Sequence, residues 1–240
     1  MTARLRNEVK PGFRRTKMKI VVTSDCHGML SSANLPPGDI LILAGDLLAN
    51  RFSDPDRDAK AQVNDLRDLD DFCGRLDYKH VLLIAGNHDW IFERNRPASR
   101  DLKNITYLED SEVVIDGVKF YGSPYQPEFF SWAFNLRRSG PELERVWSLI
   151  PEDTNVLITH GPPYGILDRP FGRGAHAGCE LLLKRVEEVA PRLHLFGHIH
   201  GSYGQVSVGQ THFVNASLCD ERYEPVNAPV LIDLDALKCS

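Results

Sequence analysis

The sequence lacks several features that mark other classes of protein. It has no apolar stretch of about 18 residues and no signal-peptide core, so we expect neither a transmembrane anchor nor secretion and assign the chain to the cytoplasm. It has no internal repeats and no low-complexity tracts. Its five cysteines include no Cys-x-x-Cys pair, and an odd number fits reduced thiols better than a disulfide framework.

The sequence also lacks an excess of positive charge. Its formal net charge is -5 at pH 7, whereas extended nucleic acids and anionic membranes are bound through a positive field over a large surface. We therefore expect neither partner, while a small anionic substrate held by metal ions remains compatible with this charge. Residues 1–17 are basic and lack hydrophobic periodicity, so we expect a mobile N-terminal extension before a single domain over residues 18–240.

What the sequence does contain is a repeated pattern of polar clusters that follow short apolar runs. The runs span residues 20–23, 40–44, 81–85, 156–159 and 193–196. Runs of this length predict buried strands, and ligands of open α/β sheets gather at the carboxyl ends of such strands. We therefore expect the clusters to converge. They are Asp25-Cys26-His27, Gly45-Asp46, Gly86-Asn87-His88-Asp89, His160-Gly161-Pro162-Pro163 and Gly197-His198-Ile199-His200.

The converging side chains form a set that suits divalent metal ions. Two carboxylates, one amide and four imidazoles supply oxygen and nitrogen donors that bind Mn, Fe or Zn. Seven ligands are too many for one ion, but a carboxylate can bridge, and sharing Asp46 between two ions completes both sites. One ion then takes Asp25, His27, Asp46 and His200, and the other takes Asp46, Asn87, His160 and His198. Positions remain for a bridging hydroxide and for the oxygens of a phosphate.

The five clusters, in this order, resemble the motifs of the calcineurin-like metallophosphoesterase superfamily. The resemblance runs from about Met18 onward, and residues 195–234 are most similar to the small metallophosphoesterase-domain-containing proteins of the fetal-brain-protein type. The resemblance implies the same metal assignment, with Asp46 as the bridge. It also implies that His88 is the general acid and that Asp89 orients it.

The segments between the clusters predict an α/β fold. Helical spacing at residues 63–72, 143–150 and 182–189 lies between predicted strands and indicates crossover helices. Asp116-Gly117 and Gly209-Gln210 predict the turns of two β-hairpins. The sequence pattern alone predicts an α/β fold without a specific architecture. The resemblance implies a four-layer α-β-β-α sandwich. We expect Cys26 to point away from the metals. We expect strand-edge or surface positions for His80, His194 and His212.

The chemistry predicted for this set is hydrolysis of a phosphoester by a hydroxide that bridges two divalent ions. Such ions lower the pKa of the water and neutralise charge in the transition state. His88 would then supply the proton that the leaving oxygen needs. Residues 162–178 form a loop with phosphate donors and a stacking ring that we expect to contact the substrate. These candidates are Arg169, Arg173, His176 and Phe171.

The favoured substrates are small phosphodiesters, with nucleotides and cyclic nucleotides among them. A phosphomonoesterase, including a protein phosphatase, is the alternative, because monoester and diester use cannot be separated by motif. A catalytically inactive scaffold is a third hypothesis. It is weaker because a scaffold has no need of His88 or of the complete ligand set.

Overall fold

The computed structural model describes residues 18–172 and 174–237. The predicted N-terminal extension, residues 1–17, and the substrate candidate Arg173 lie outside the described residues. The α-helices are α1 (Pro55–Cys73), α2 (Trp90–Arg94), α3 (Pro141–Ser148) and α4 (Glu180–Val189). The strands are β1 (Lys19–Thr23), β2 (Ile40–Ala44), β3 (His80–Ile84), β4 (Thr106–Tyr107), β5 (Ser111–Ile115), β6 (Val118–Ser123), β7 (Gln126–Pro127), β8 (Asn135–Leu136), β9 (Val156–Thr159), β10 (Leu193–Phe196), β11 (Gly204–Val208), β12 (Thr211–Asn215) and β13 (Val230–Asp233).

The strands form two main sheets with parallel centres. The first sheet has the order β13-β1-β2-β3-β4, in which β13 is antiparallel and the other pairs are parallel. The second has the order β11-β12-β10-β9-β6-β5, in which the edge strands β11 and β5 are antiparallel to their neighbours. The five apolar runs become β1, β2, β3, β9 and β10, so their carboxyl ends lie at one end of their sheets.

Three apolar clusters separate four layers. The two sheets bury side chains such as Ile42, Phe120 and Leu195 between them. The outer face of the first sheet packs with α1 and α2, and that of the second sheet packs with α3 and α4, where Trp147 is buried. The expected four-layer α-β-β-α sandwich of the calcineurin-like metallophosphoesterases is therefore confirmed. Among the described helices, none combines the length and the apolar character that crossing a bilayer requires.

Local sequence signals explain where the predicted elements begin and turn. The carboxylate of Asp54 accepts a hydrogen bond from the backbone N–H of Arg57, and Pro55 occupies the first turn of α1. The hairpin between β5 and β6 turns at Asp116 (φ 49°) and Gly117 (φ 79°), as the Asp-Gly pair predicts. The second predicted hairpin joins β11 to β12.

The expected exposure of His194 is wrong. Its side chain is fully buried in β10, which lies between β9 and β12, and its ring contacts Phe196 and Phe213. Its Nε2–H donates to Thr159 Oγ1 at 2.9 Å, because that hydroxyl itself donates to the Gly161 carbonyl. A central strand that is covered on both faces buries every side chain. The polar character of His194 was therefore not a sign of a surface position.

Candidate metal centre

The five predicted clusters meet where the carboxyl ends of the strands of both sheets come together. A parallel bridge between Ser24 and Ser217 joins the two sheets at this edge. Ligand atoms of neighbouring side chains lie within 4.8 Å of one another in three overlapping groups. These groups are Asp25 with His27 and His200, His27 with Asp46 and His88, and Asp46 with His160 and His198.

The backbone of the site is strained where it carries these side chains. Four residues have φ in the left-handed region, which L-residues seldom adopt outside functional sites and turns. They are Asp25 (52°), His27 (44°), Asp46 (54°) and His198 (66°). The glycines of the motifs allow close approach, since a Cβ at Gly86 would overlap the Asp46 carboxylate. The motif glycines are therefore part of the ligand packing.

The Asp25 carboxylate is held mainly through one oxygen, although the backbone N–H of His198 also donates to the other, Oδ1, at 3.1 Å. Its Oδ2 accepts hydrogen bonds from the hydroxyls of Ser24 (2.6 Å) and Ser217 (2.9 Å) and from the backbone N–H of His198 (2.9 Å). Its Oδ1 lies 3.2 Å from Nε2 of His200. The carboxylate is thus oriented with one oxygen directed into the cluster.

The imidazoles of His200 and His160 direct their Nε2 atoms at the carboxylates of Asp25 and Asp46. Nδ1 of His200 donates to the Asp220 carbonyl at 2.8 Å, and Nδ1 of His160 donates to the Ala44 carbonyl at 3.1 Å. A neutral imidazole then carries its lone pair on Nε2. Yet Nε2 of His160 lies 3.2 Å from an oxygen of Asp46, itself an acceptor. Only a proton or a cation between such pairs makes them favourable.

The pKa values reflect the same convergence. Burial alone would lower the pKa of His160, but the adjacent Asp46 carboxylate outweighs it and raises the pKa to about 9. Burial is likewise outweighed at His200, where the hydrogen bond to Asp25 raises the pKa to about 9. At His198 burial prevails and lowers the pKa to about 4. Imidazoles that hold Nδ1–H on a backbone carbonyl and face carboxylates with Nε2 fit divalent metal ions.

His88 lies beside this cluster and is held by a residue that the motif did not predict. Its Nδ1 donates to Asn50 Oδ1 at 2.7 Å. The Asn50 amide is oriented in turn, because its Nδ2 donates to an oxygen of Asp58 at 3.0 Å. Trp132 packs against the imidazole with ring centroids 4.1 Å apart and the ring planes tilted by 32°. Nε2 of His88 therefore faces the cluster, 4.0 Å from Asp46 Oδ2.

The expected role of Asp89 as the orienting partner of His88 does not agree with the geometry. The Asp89 side chain is fully buried, and its carboxylate accepts the backbone N–H groups of Gly86 (2.8 Å), Leu47 (3.0 Å) and Leu48 (2.9 Å). These groups belong to the two loops that carry Asn87 and Asp46. Asp89 thus ties two ligand loops together, while Asn50 orients His88.

A cavity of about 350 Å³ opens onto the cluster. Its inner wall carries Asp46, Asn87, His88, His198 and His200. The remainder is largely aromatic or proline and includes Phe129, Phe130, Trp132, Phe171 and Tyr223. The site therefore combines a polar floor with an apolar mouth.

Sequence comparison establishes the family. Residues 18–202 match the calcineurin-like phosphoesterase family. The chain is 39% identical over 249 residues to metallophosphoesterase domain-containing protein 1 of Homo sapiens, and the alignment covers 93% of this chain and 72% of the human protein. The protein of the same name from Mus musculus gives the same values. The chain belongs to the calcineurin-like phosphoesterase family.

Solved structures support the fold of this family. One crystal structure has a TM-score of 0.68 with 18% sequence identity, covering 93% of this chain and 97% of the other. The protein TT1561 of Thermus thermophilus has a TM-score of 0.58 with 17% identity over the same shares of both chains. Family membership and the clustered ligand atoms together support a metal-dependent phosphoesterase.

The predicted substrate loop of this family member divides into two parts. Phe171 lines the cavity. Arg169 and His176 instead hydrogen-bond to each other at 3.0 Å, and Nδ1 of His176 donates to the buried Asp168 at 2.6 Å. Neither is among the described residues that line the cavity. Arg173 lies outside the described residues.

Sequence reasoning missed two groups of supporting residues. Asn50 lies four residues after Asp46 in the same loop, so its proximity could have marked it. Ser217 follows the carboxyl end of β12, and the rule that selected the five clusters applies equally to that strand. Cys26 points away from the ligands into the core behind β1, as expected, and burial raises the pKa of its thiol.

Proposed function

We propose that this chain hydrolyses small phosphodiesters with two divalent metal ions bound by seven side chains. The observation that carries the proposal is the set of converging acceptor atoms, in which imidazole Nε2 atoms face carboxylate oxygens. Asp46 is grouped with His27 of one proposed site and with His160 and His198 of the other, which supports it as the bridge. One site comprises Asp25, His27, Asp46 and His200, and the other comprises Asp46, Asn87, His160 and His198. Mn, Fe and Zn fit these donors.

The bound ions would supply Lewis acidity and an activated water at phosphorus. The chain's own residues orient the ligands. Ser24 and Ser217 hold Asp25 by hydrogen bonds to one oxygen. Asp89 holds the loops of Asp46 and Asn87 in register.

His88 is the proposed source of the proton that the leaving oxygen needs. Its Nδ1–H is committed to Asn50, so Nε2 is the atom that exchanges a proton in the cavity. It is 8% exposed and packs against Trp132, which limits its movement. Since Asn87 supplies the neighbouring ligand, His88 is free to act on the substrate.

A diester is favoured because the cavity continues past the ligand cluster over apolar residues, where a second ester group can lie. We extend the proposal to one domain over residues 18–240. The proposed location is the cytoplasm.

An activity panel tests this function. The purified chain, stripped with a chelator and reloaded with Mn, Fe(II) or Zn, is assayed with an aryl phosphodiester, an aryl phosphate, cyclic nucleotides and a phosphopeptide. We expect metal-dependent turnover that is highest on diesters. His160→Ala should abolish it, whereas His212→Ala, a matched histidine whose ring bonds only Ser207 and Gln205 in the β11–β12 hairpin, should not. Absence of diester turnover with every metal, whether or not the monoesters are hydrolysed, would contradict the proposal.

A further inference from the structure

Exposed aromatic side chains from three separate loops share the cavity of the metal centre, and Phe129, beside Phe130, is 57% exposed and lines it as well. Phe130 is 78% exposed, Phe171 is 69% exposed and Tyr223 is 48% exposed, yet all three line the same cavity. Aromatic rings are ordinarily buried in the core, and a group of exposed rings around a concave site marks a ligand surface. We call Phe130, Phe171 and Tyr223 the aromatic mouth.

The backbone of the aromatic mouth is as unusual as its exposure. The φ angles are 52° at Phe130, 55° at Phe171 and 61° at Tyr223. Bulky L-residues seldom adopt the left-handed region, because Cβ approaches the backbone there. Three loops that each place an aromatic residue in this conformation, at one cavity, point to a function for the rings rather than to the needs of folding.

Two of the three loops are fixed by hydrogen bonds. Asn135 Nδ2 donates to the carbonyls of Phe129 (3.1 Å) and Phe130 (3.2 Å). The Asp220 carboxylate accepts the backbone N–H groups of Arg222 (2.8 Å) and Glu224 (3.1 Å), which closes the turn that presents Tyr223. The backbone that carries Phe130 and Tyr223 is thus held in place before a ligand binds.

The aromatic mouth lies against the metal centre. The Tyr223 ring centroid is 4.7 Å from that of His27 and 5.4 Å from that of His200. Phe171 packs near the turn that carries His200, since a Cβ at Gly201 would lie 2.7 Å from the Phe171 Cα. A phosphate at the ligand cluster would therefore have its organic group at the rings.

The charges around the mouth oppose a second phosphate there. Among the described lining residues, the only cation besides histidine is Arg138. Its guanidinium is already engaged, because it donates to the carbonyls of Gly178 and Ala177 and to the Glu180 carboxylate. Glu221 adds a negative charge to the lining. The mouth therefore suits an uncharged flat group.

We propose that the aromatic mouth binds a flat aromatic ring in the organic part of the phosphoester, either an aryl group or a nucleobase. The inference rests on the proposed function, since it names the substrate class of that site. Aromatic side chains stack on a base or aryl ring of any kind, and each stacked ring strengthens binding by about 5- to 150-fold.

Paired probes test this substrate class on the full, Mn-saturated chain. Phenylphosphonate is compared with methylphosphonate, and uridine 5′-monophosphate with ribose 5-phosphate, as competitors of aryl diester hydrolysis and by calorimetry. We expect the ring-bearing member of at least one pair to bind about 5-fold tighter or better. A preference in one pair alone also supports the proposal and identifies the ring as aryl or nucleobase. Equal binding within both pairs would overturn it.

Variants locate the effect. Phe130→Ala, Phe171→Ala and Tyr223→Ala should each reduce the ring preference, measured as the ratio of the two affinities within a pair, whereas Tyr223→Phe should retain it. Val114→Ala is the control, because Val114 is 57% exposed on β5 and does not line the cavity. A ring preference that survives all three alanine variants would overturn the assignment to these rings.

The inference and the proposed function fail in different ways. If the proposed function is wrong, the aryl diester is not hydrolysed with any metal. If only the inference is wrong, hydrolysis persists and the ring-bearing and ring-free probes bind equally. The comparison of probes on the unsubstituted chain holds even if a variant does not fold.

Discussion

Replacing His88 separates proton transfer from metal binding. His88→Asn removes the imidazole, while the adjacent Asn87 and the other six proposed ligands stay in place. We expect two ions to remain bound and turnover to fall by about 10²- to 10⁴-fold, the usual contribution of a positioned acid or base. The loss should be larger for an alkyl or ribose leaving oxygen than for p-nitrophenolate, because only the former needs a proton to depart.

The structure sets the expected size of a second, smaller effect. Asn50→Ala removes the acceptor that lies 2.7 Å from Nδ1 of His88 but leaves the imidazole. A neutral hydrogen bond contributes about 0.5–1.5 kcal/mol, which corresponds to a factor of about 2 to 12 in rate. Asn50→Ala should therefore lower kcat on the alkyl ester by that factor, with a smaller change in KM. Asn64→Ala is the matched control, since Asn64 is exposed on α1 and its side chain accepts a hydrogen bond from Arg67.

The assay compares two diesters that differ only in the leaving group, with metal content measured by mass spectrometry on the same samples. Loss of metal from His88→Asn would show that His88 is a ligand. Equal losses on both leaving groups would refute proton donation and place His88 in contact with the phosphate. An unchanged kcat in Asn50→Ala would refute the orienting role of Asn50.

Two further predictions concern stability. Asp89→Asn should lower the free energy of unfolding by about 2–4 kcal/mol, because the amide cannot accept hydrogen bonds from all three buried N–H groups that the carboxylate accepts. A loss below about 0.5 kcal/mol, measured by denaturant titration, would contradict this role of Asp89. Burial lowers the pKa of His194 to about 3, so the fold keeps it neutral while the unfolded chain gains a proton below about pH 6.5. As the pH falls from 7 to 5, the free energy of unfolding of the unsubstituted chain should therefore decrease by about 2 kcal/mol more than that of His194→Gln. Equal decreases in the two proteins would exclude this contribution.

The convergence of the ligand clusters could be predicted because it depends on local pattern and on one rule of topology. Short apolar runs fix the parallel strands, and the carboxyl ends of parallel strands share an edge. Asp25, Asp46 and His198 each follow such an end within three residues, so little of their position depends on distant contacts.

The supporting contacts could not be read in the same way. Asp89 follows His88 in sequence, but it immediately precedes the five-residue helix α2, and its carboxylate reaches the N–H groups of Leu47 and Leu48. A helix of this length leaves no periodicity to detect. Tyr223 lies on a loop that is closed by contacts between polar side chains and the backbone. No sequence motif marks this loop.

Metal stoichiometry tests the central claim most directly. The claim predicts two ions per chain under saturating Mn. It also predicts that Asp46→Asn lowers metal content more than His200→Ala, because the bridge serves both ions and His200 serves one. One ion or none in the unsubstituted chain would contradict the dinuclear centre, and equal losses in the two variants would contradict Asp46 as its bridge.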